Sequence, residues 1–174
     1  MSSVGPEGRS FEQITMDDLR RLATLAAEDG RDFFDRFPDW AKLYEDRVLC
    51  TALCQGAALH FARGGIGIND FDVYTFYAQH PKRAWYAKRR RGCDFGDQKF
   101  GKSQDKPNFV GRRVDLMGRG IPAEPTEEPV RAVQRYLSNG RTKSARLLAQ
   151  KAVVVIEPSR SIGQIIWLDG SPVD

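Results

Sequence analysis

The alternation of apolar and polar positions divides the chain into helical and extended segments. Thr15 followed by Asp18 predicts a helix N-cap with an acid in the first turn, and MDDLRRLATLAAED continues with apolar residues at helical spacing. Gly30 is the expected stop. RDFFDRFPDWAKLYEDR is a second helical region, interrupted or restarted near Pro38. VLCTALC, residues 48–54, is a short, nearly continuous apolar run that fits a central strand. QGAALHFA then turns into a short helix, GGIGIN is a loop, and DFDVYTFYA is a second strand. Residues 82–108 mix charge, Gly and Pro and read as irregular, with a short helix at RAWYAKRRR as the one regular option. GRRVDLMGRGI holds a third short strand between Gly111 and Gly118. EEPVRAVQRYLSN is helical with Asn139-Gly140 as its stop, RTKSARLLAQK is another helix, AVVVIEP is a strand or extended segment, and GQIIWLD closes the chain. This order predicts an α/β (α+β) domain, a small mixed sheet flanked by helices, rather than a bundle or a sandwich.

The chain of 174 residues fits one domain, residues 15–174, with 127–174 as a C-terminal helical and strand extension. Residues 1–14 are polar at their start, lack the apolar stretch of a signal peptide and are expected to fray. No apolar run approaches a membrane span, so no membrane partner is expected. Three cysteines, Cys50, Cys54 and Cys93, make no disulfide framework and point to a reducing cytoplasm. Cys50 and Cys54 read as buried apolar cysteines in preference to half a zinc site, because His60 and His80 are the only histidines. The net charge of +4 hides an asymmetry: residues 82–119 carry twelve Lys/Arg against four Asp, and the rest of the chain is net acidic. A local basic field of this kind attracts phosphates, on nucleotides or on nucleic acid.

The second strand carries two acids. Alternation places Asp70 and Asp72 on one face, with Phe71 and Val73 on the other. Their Cα atoms are then about 7 Å apart, and the carboxylates can converge on one hard cation. Without one, like charges beside a core repel. An ordinary solvent-facing strand is the plain alternative for a DxD pattern. Two further features narrow it. Gly56 follows an apolar strand and opens a short helix, where backbone N–H groups can approach an anion. Asp115 sits between Val114 and Leu116 in the third strand.

The order Cys54-Gln55-Gly56-Ala57, twelve intervening residues, Asp70-Phe71-Asp72-Val73, then Val114-Asp115-Leu116 resembles the nucleotidyltransferase superfamily, the DNA polymerase beta-like fold. QGAALH is also similar to the Gly-Gly-Thr-Ala-Leu type of signature in the abortive-infection nucleotidyltransferase-like toxins, which raises a role in phage defence. The resemblance spans residues 48–117. It implies that Asp70 and Asp72 hold Mg²⁺ or Mn²⁺ bridging an NTP triphosphate. Asp115 would complete a second metal site or deprotonate an acceptor hydroxyl. Gly56 and Ala57 would set backbone donors against the phosphates. Two departures stand out: Ala57 replaces the usual Ser or second Gly, and Gln55 is polar where a hydrophobic residue is usual, which makes it a possible nucleotide contact.

Arg113 shares a face with Asp115 by period two and is a candidate either to neutralise the carboxylates or to bind phosphate, or simply to form an ion pair. His60 reads first as a hydrogen-bonded structural histidine and second as a phosphate neighbour. Lys82, Arg83, Lys88, Arg89, Arg90 and Arg91 surround Trp85 and Tyr86, the make-up of an RNA or other nucleic-acid surface and equally of a solvated connector. The long loop after them offers Lys99 and Lys102 as phosphate contacts. Lys143 and Ser144 are expected at the surface. The expected activity is metal-dependent transfer of an NMP from an NTP to a hydroxyl on an RNA end, a small molecule or a protein. The alternative is an inactive module that binds nucleic acid or a partner chain through residues 82–119. A metal-dependent nuclease is a third reading, weakened by the lack of a suitably spaced lysine.

Overall fold

The computed structural model describes residues 8–86 and 89–174. It is a mixed α/β fold built on a seven-stranded sheet rather than a small one. The strands are β1 (Val48–Cys54), β2 (Phe71–Ala78), β3 (Arg90–Asp94), β4 (Arg113–Ile121), β5 (Ala152–Glu157), β6 (Ile165–Leu168) and β7 (Ser171–Pro172). Their order across the sheet is β3-β4-β2-β1-β5-β6-β7. β2 and β4 run parallel, and the other neighbours are antiparallel. The helices are α1 (Met16–Arg36), α2 (Pro38–Tyr44), α3 (Gln55–Arg63), α4 (Pro129–Asn139) and α5 (Lys143–Leu148).

β1 is buried from Leu49 to Cys54, as a strand covered on both faces must be. One face packs Leu53, Phe71, Val73, Val114, Leu116 and Val154 under α1 and α3. The other packs Ala52, Cys54, Tyr74, Phe76, Val153 and Val155 under α4 and α5. Residues 127–174 are therefore no appendage: β5 lies inside the sheet, paired with β1.

Several expectations are corrected. α1 does not stop at Gly30. The capping box at its start is formed, with Thr15 N–H donating to Asp18 Oδ2 at 2.8 Å. The helix then runs on because Asp29 is buried beyond Leu22 and Ala23, and Phe33 and Phe34 pack against an aromatic cluster. It ends at Phe37, the residue before Pro38, where proline disfavours the helical conformation and opens α2 instead. Residues 90–94 form strand β3, where an irregular stretch or a short helix was expected; they gain backbone partners along β4. Residues 8–14 are tied down: Ser10 and Ile68 exchange backbone hydrogen bonds of 2.9 and 2.7 Å, and Ile14 is in the core. Residues 1–7 lie outside the described residues.

Trp85 packs into the aromatic cluster, stacked on Tyr77 with ring centroids 4.0 Å apart. Gly118 on β4 makes this possible, because a Cβ there would sit 2.5 Å from Trp85 Nε1. No described helix is long and apolar enough to cross a membrane.

Candidate active site

The parallel register of β2 and β4 sets Asp72 directly opposite Asp115. Asp70 stands one residue before β2 begins and two before Asp72, so alternation aims it to the same side. The three carboxylates come together, each offering an oxygen within 4.8 Å of the others. Sequence separation of 45 residues between Asp70 and Asp115 is closed by one strand pairing.

The acids are not equivalent. Asp115 is fully buried, and each of its oxygens holds an arginine: Arg90 Nη2 donates to Oδ2 at 2.6 Å and Arg113 Nε donates to Oδ1 at 2.7 Å. Arg113 also reaches Asp105 at 3.0 Å. Asp70 and Asp72 have no hydrogen bond or ion pair with any described residue. Burial first, then the charges of Asp70 and Asp115, push the Asp72 carboxyl up to about 7. Burial and Asp115 also raise Asp70, against the pull of Arg113 and Arg90. Three carboxylates facing two arginines leave the cluster acidic, the condition in which a hard divalent cation fits. A cavity of about 210 Å³, lined by Asn69, Asp70, Ser103, Gln104, Asp105 and Arg113, opens beside it.

Arg112, 1% exposed, fixes the approach to Asp70. It points away from the acids, as the alternation predicts. Its guanidinium donates to Phe100 O at 2.6 and 3.0 Å, to Gly8 O at 2.9 Å and to Asn69 O at 3.4 Å. The backbone leading into Asp70 is thus tethered from below.

On the other side of Asp72 lies the β1–α3 turn, since Cys54 pairs with Asp72 across β1 and β2. Gln55 adopts a left-handed backbone, φ 61°, a conformation strained for a residue with a Cβ. α3 starts there with no side-chain cap, so its first N–H groups are unclaimed by a cap residue. The Lys151 ammonium lies 4.0 Å from where a side chain at Gly56 would begin, and its charge favours the ionised form of Asp72. Gln55 and Gly56 are partly exposed, and Ala57 is buried. Sequence reasoning missed Lys151, because only the pairing of β5 with β1 brings it here.

The remaining candidates separate. His60 is structural: Gly67 N–H donates to its Nδ1 at 3.2 Å, and its Nε2 faces Glu12 O at 3.0 Å. Lys99 is engaged elsewhere, 2.6 Å from Asp18 at the start of α1, and Lys102 is exposed. Arg89 and Arg91 turn to the opposite face of β3 and hold Asp29, at 2.8 and 3.1 Å. Arg83 lies over the Trp40 ring at 4.0 Å, and Lys82 is exposed. Lys88 lies outside the described residues. Lys143 is exposed, and Ser144 accepts from Arg119 Nε at 3.1 Å. Cys50 and Cys54 are buried free thiols on the α4 and α5 face.

Comparisons with family models, with curated proteins and with solved structures return no match.

Proposed function

We propose that the protein is a metal-dependent nucleotidyltransferase of the DNA polymerase beta-like fold, moving an NMP from an NTP to a hydroxyl acceptor. The observation that carries the reading is an acidic cluster in which two carboxylates form no ion pair with a described residue, set beside an uncapped helix start and a lysine. Asp70 and Asp72 would hold Mg²⁺ or Mn²⁺. Bound there, the ion supplies charge neutralisation for the triphosphate and for the departing pyrophosphate.

The chain's own residues do the rest. The N–H groups at Gly56 and Ala57, with Lys151, would bind the terminal phosphates, and Ala57 needs no hydroxyl for that. The acceptor oxygen attacks the α-phosphorus as the bond to pyrophosphate breaks, and the hydroxyl proton passes to a carboxylate. Asp115 serves in that role only if an arginine withdraws. Arg90, with a side chain 54% exposed on an edge strand, is freer to leave than Arg113, which is 23% exposed and also held by Asp105.

The arginines on both oxygens of Asp115 also favour a second reading, an inactive module of the same fold that binds nucleic acid or a partner chain. Calorimetric titration with each NTP, with and without Mg²⁺ and Mn²⁺, decides between them. Metal-dependent binding that is lost in Asp70→Asn/Asp72→Asn supports transfer. Absence of NTP binding under every metal condition sinks it and leaves the binding module.

A further inference from the structure

A groove larger than the cavity beside the acids lies apart from them. It has a volume of about 690 Å³ and lies between the end of α1, the start of α2, and Arg83, Tyr86 and Arg89–Arg91. Arg90, on the edge strand β3, lines it, and its guanidinium holds Asp115 on the opposite face of the sheet, so the groove and the acidic cluster meet around that edge.

Its walls combine two chemistries. Phe37 and Tyr86 are 45% and 52% exposed, large aromatic surface left to water at a groove. Trp40 also lines the groove, under the Arg83 guanidinium. The lining carries five arginines against Asp29 and Asp32. Arg89 and Arg91 are paired with Asp29, whereas Arg36 and Arg83 form no ion pair with a described residue. Net positive charge repels a basic partner, and aromatic faces interleaved with arginines match a ligand that alternates flat rings with phosphates.

We propose that this groove binds single-stranded nucleic acid and, on the nucleotidyltransferase reading above, delivers its terminal hydroxyl past Arg90 to the acids. Bases stack on Tyr86 and Phe37, and phosphates meet Arg36 and Arg83. A mononucleotide would use one stacking face and one cation. Cations and rings spaced along both walls suit a strand.

The test is anisotropy of labelled twelve-nucleotide single strands, RNA and DNA of one sequence, and of the matching duplex, in EDTA without NTP. Both single strands are expected to bind more tightly than the duplex, with affinity falling as salt rises. Tyr86→Ala or Phe37→Ala should weaken binding about 5- to 150-fold, the range for one lost stack, with an unchanged salt slope. Arg36→Glu and Arg83→Glu should each weaken all sequences alike and flatten the slope by about 0.7. Melting temperatures of all four variants near that of the wild type establish that they are folded. The proposal is overturned if no strand binds, if the duplex binds as well as the single strands, if the groove variants change nothing, or if a mononucleotide competes as well as the strand. Strand binding without metal-dependent NTP binding keeps the groove and removes the transfer. NTP binding without strand binding does the reverse and points to a small-molecule or protein acceptor.

Discussion

Among the described residues two of the buried aspartates are each clasped by a pair of arginines, and the run Arg89–Arg91 serves both. Asp29, 6% exposed, is held by Arg89 and Arg91. Asp115, 0% exposed, is held by Arg90 and Arg113. Around Asp29 the two arginines are matched by Asp29 itself and the exposed Asp32, 3.7 Å from Arg91, so among the described ion pairs no charge is left over. Around Asp115 two more carboxylates converge and leave the acids in excess of the two arginines. Burial and salt bridging alone therefore do not mark a site. What separates a structural clasp from a candidate site is the charge left over once the partners are counted.

The sharpest way to break this contrast is to remove each acid. Asp29→Ala strands the Arg89 guanidinium, whose side chain is only 15% exposed, against α1. It is expected to destabilise the protein by about 3 kcal/mol, read from chemical denaturation. Asp115→Asn leaves Arg90 and Arg113 with Asp70 and Asp72 nearby, so a loss under about 1 kcal/mol is expected in the same assay. Equal losses would erase the distinction drawn above.

Adding Mn²⁺ or Mg²⁺ comes next. At a hundredfold excess over the dissociation constant, an ion held by the native state adds about 2.7 kcal/mol, and EDTA reverses it. Calorimetric melting should show this gain in the wild type and in Asp29→Ala but not in Asp70→Asn/Asp72→Asn.

The metal-free penalty has its own signature. The folded Asp72 carboxyl keeps its proton up to about 7, well above its value in the unfolded chain. The native state thus binds the extra proton between about pH 4 and pH 7. Stability falls as pH rises through that window and stays reduced above it. Asp72→Asn cannot titrate, so it should be more stable than the wild type at pH 8, by on the order of 1–2 kcal/mol after discounting for solvent screening. At pH 4 the two should melt together. A variant that is less stable at pH 8 would place Asp72 with Asp29 as a structural acid.

The smallest effect belongs to the turn beside the acids. Gln55→Gly should relax the left-handed backbone and raise stability by about 0.5 kcal/mol, visible as a slight rise in melting temperature. No comparable strain accompanies Asp29, which lies within α1.

Much of this was legible in the chain itself. β1, β2 and β4 follow from apolar runs, and the shared face of Asp70 and Asp72 follows from alternation. The partnership of Arg113 with Asp115 follows from the same period. β3 was not legible, because RRGCD has the composition of a solvated connector and is a strand only by virtue of its β4 partner. α1 continues past Gly30 for a tertiary reason, the burial of Asp29 and the packing of Phe33. The two-sided use of Arg89, Arg90 and Arg91 depends on β3 being a strand, so it was hidden with it. Lys151 reaches the β1–α3 turn across a sheet pairing that no local pattern encodes.

β3 also sets a rule for how the chain can vary in length. Successive residues of the run 89–91 answer to opposite faces of the sheet, two to α1 and one to the acids. Loss or gain of one residue between Arg89 and Asp94 would trade the two clasps, aiming a single arginine at Asp29 and a surplus at Asp115. A change of two residues would restore both. As long as the three arginines are kept, the constraint within this strand is one of parity: even changes in length preserve the two clasps and odd ones exchange them.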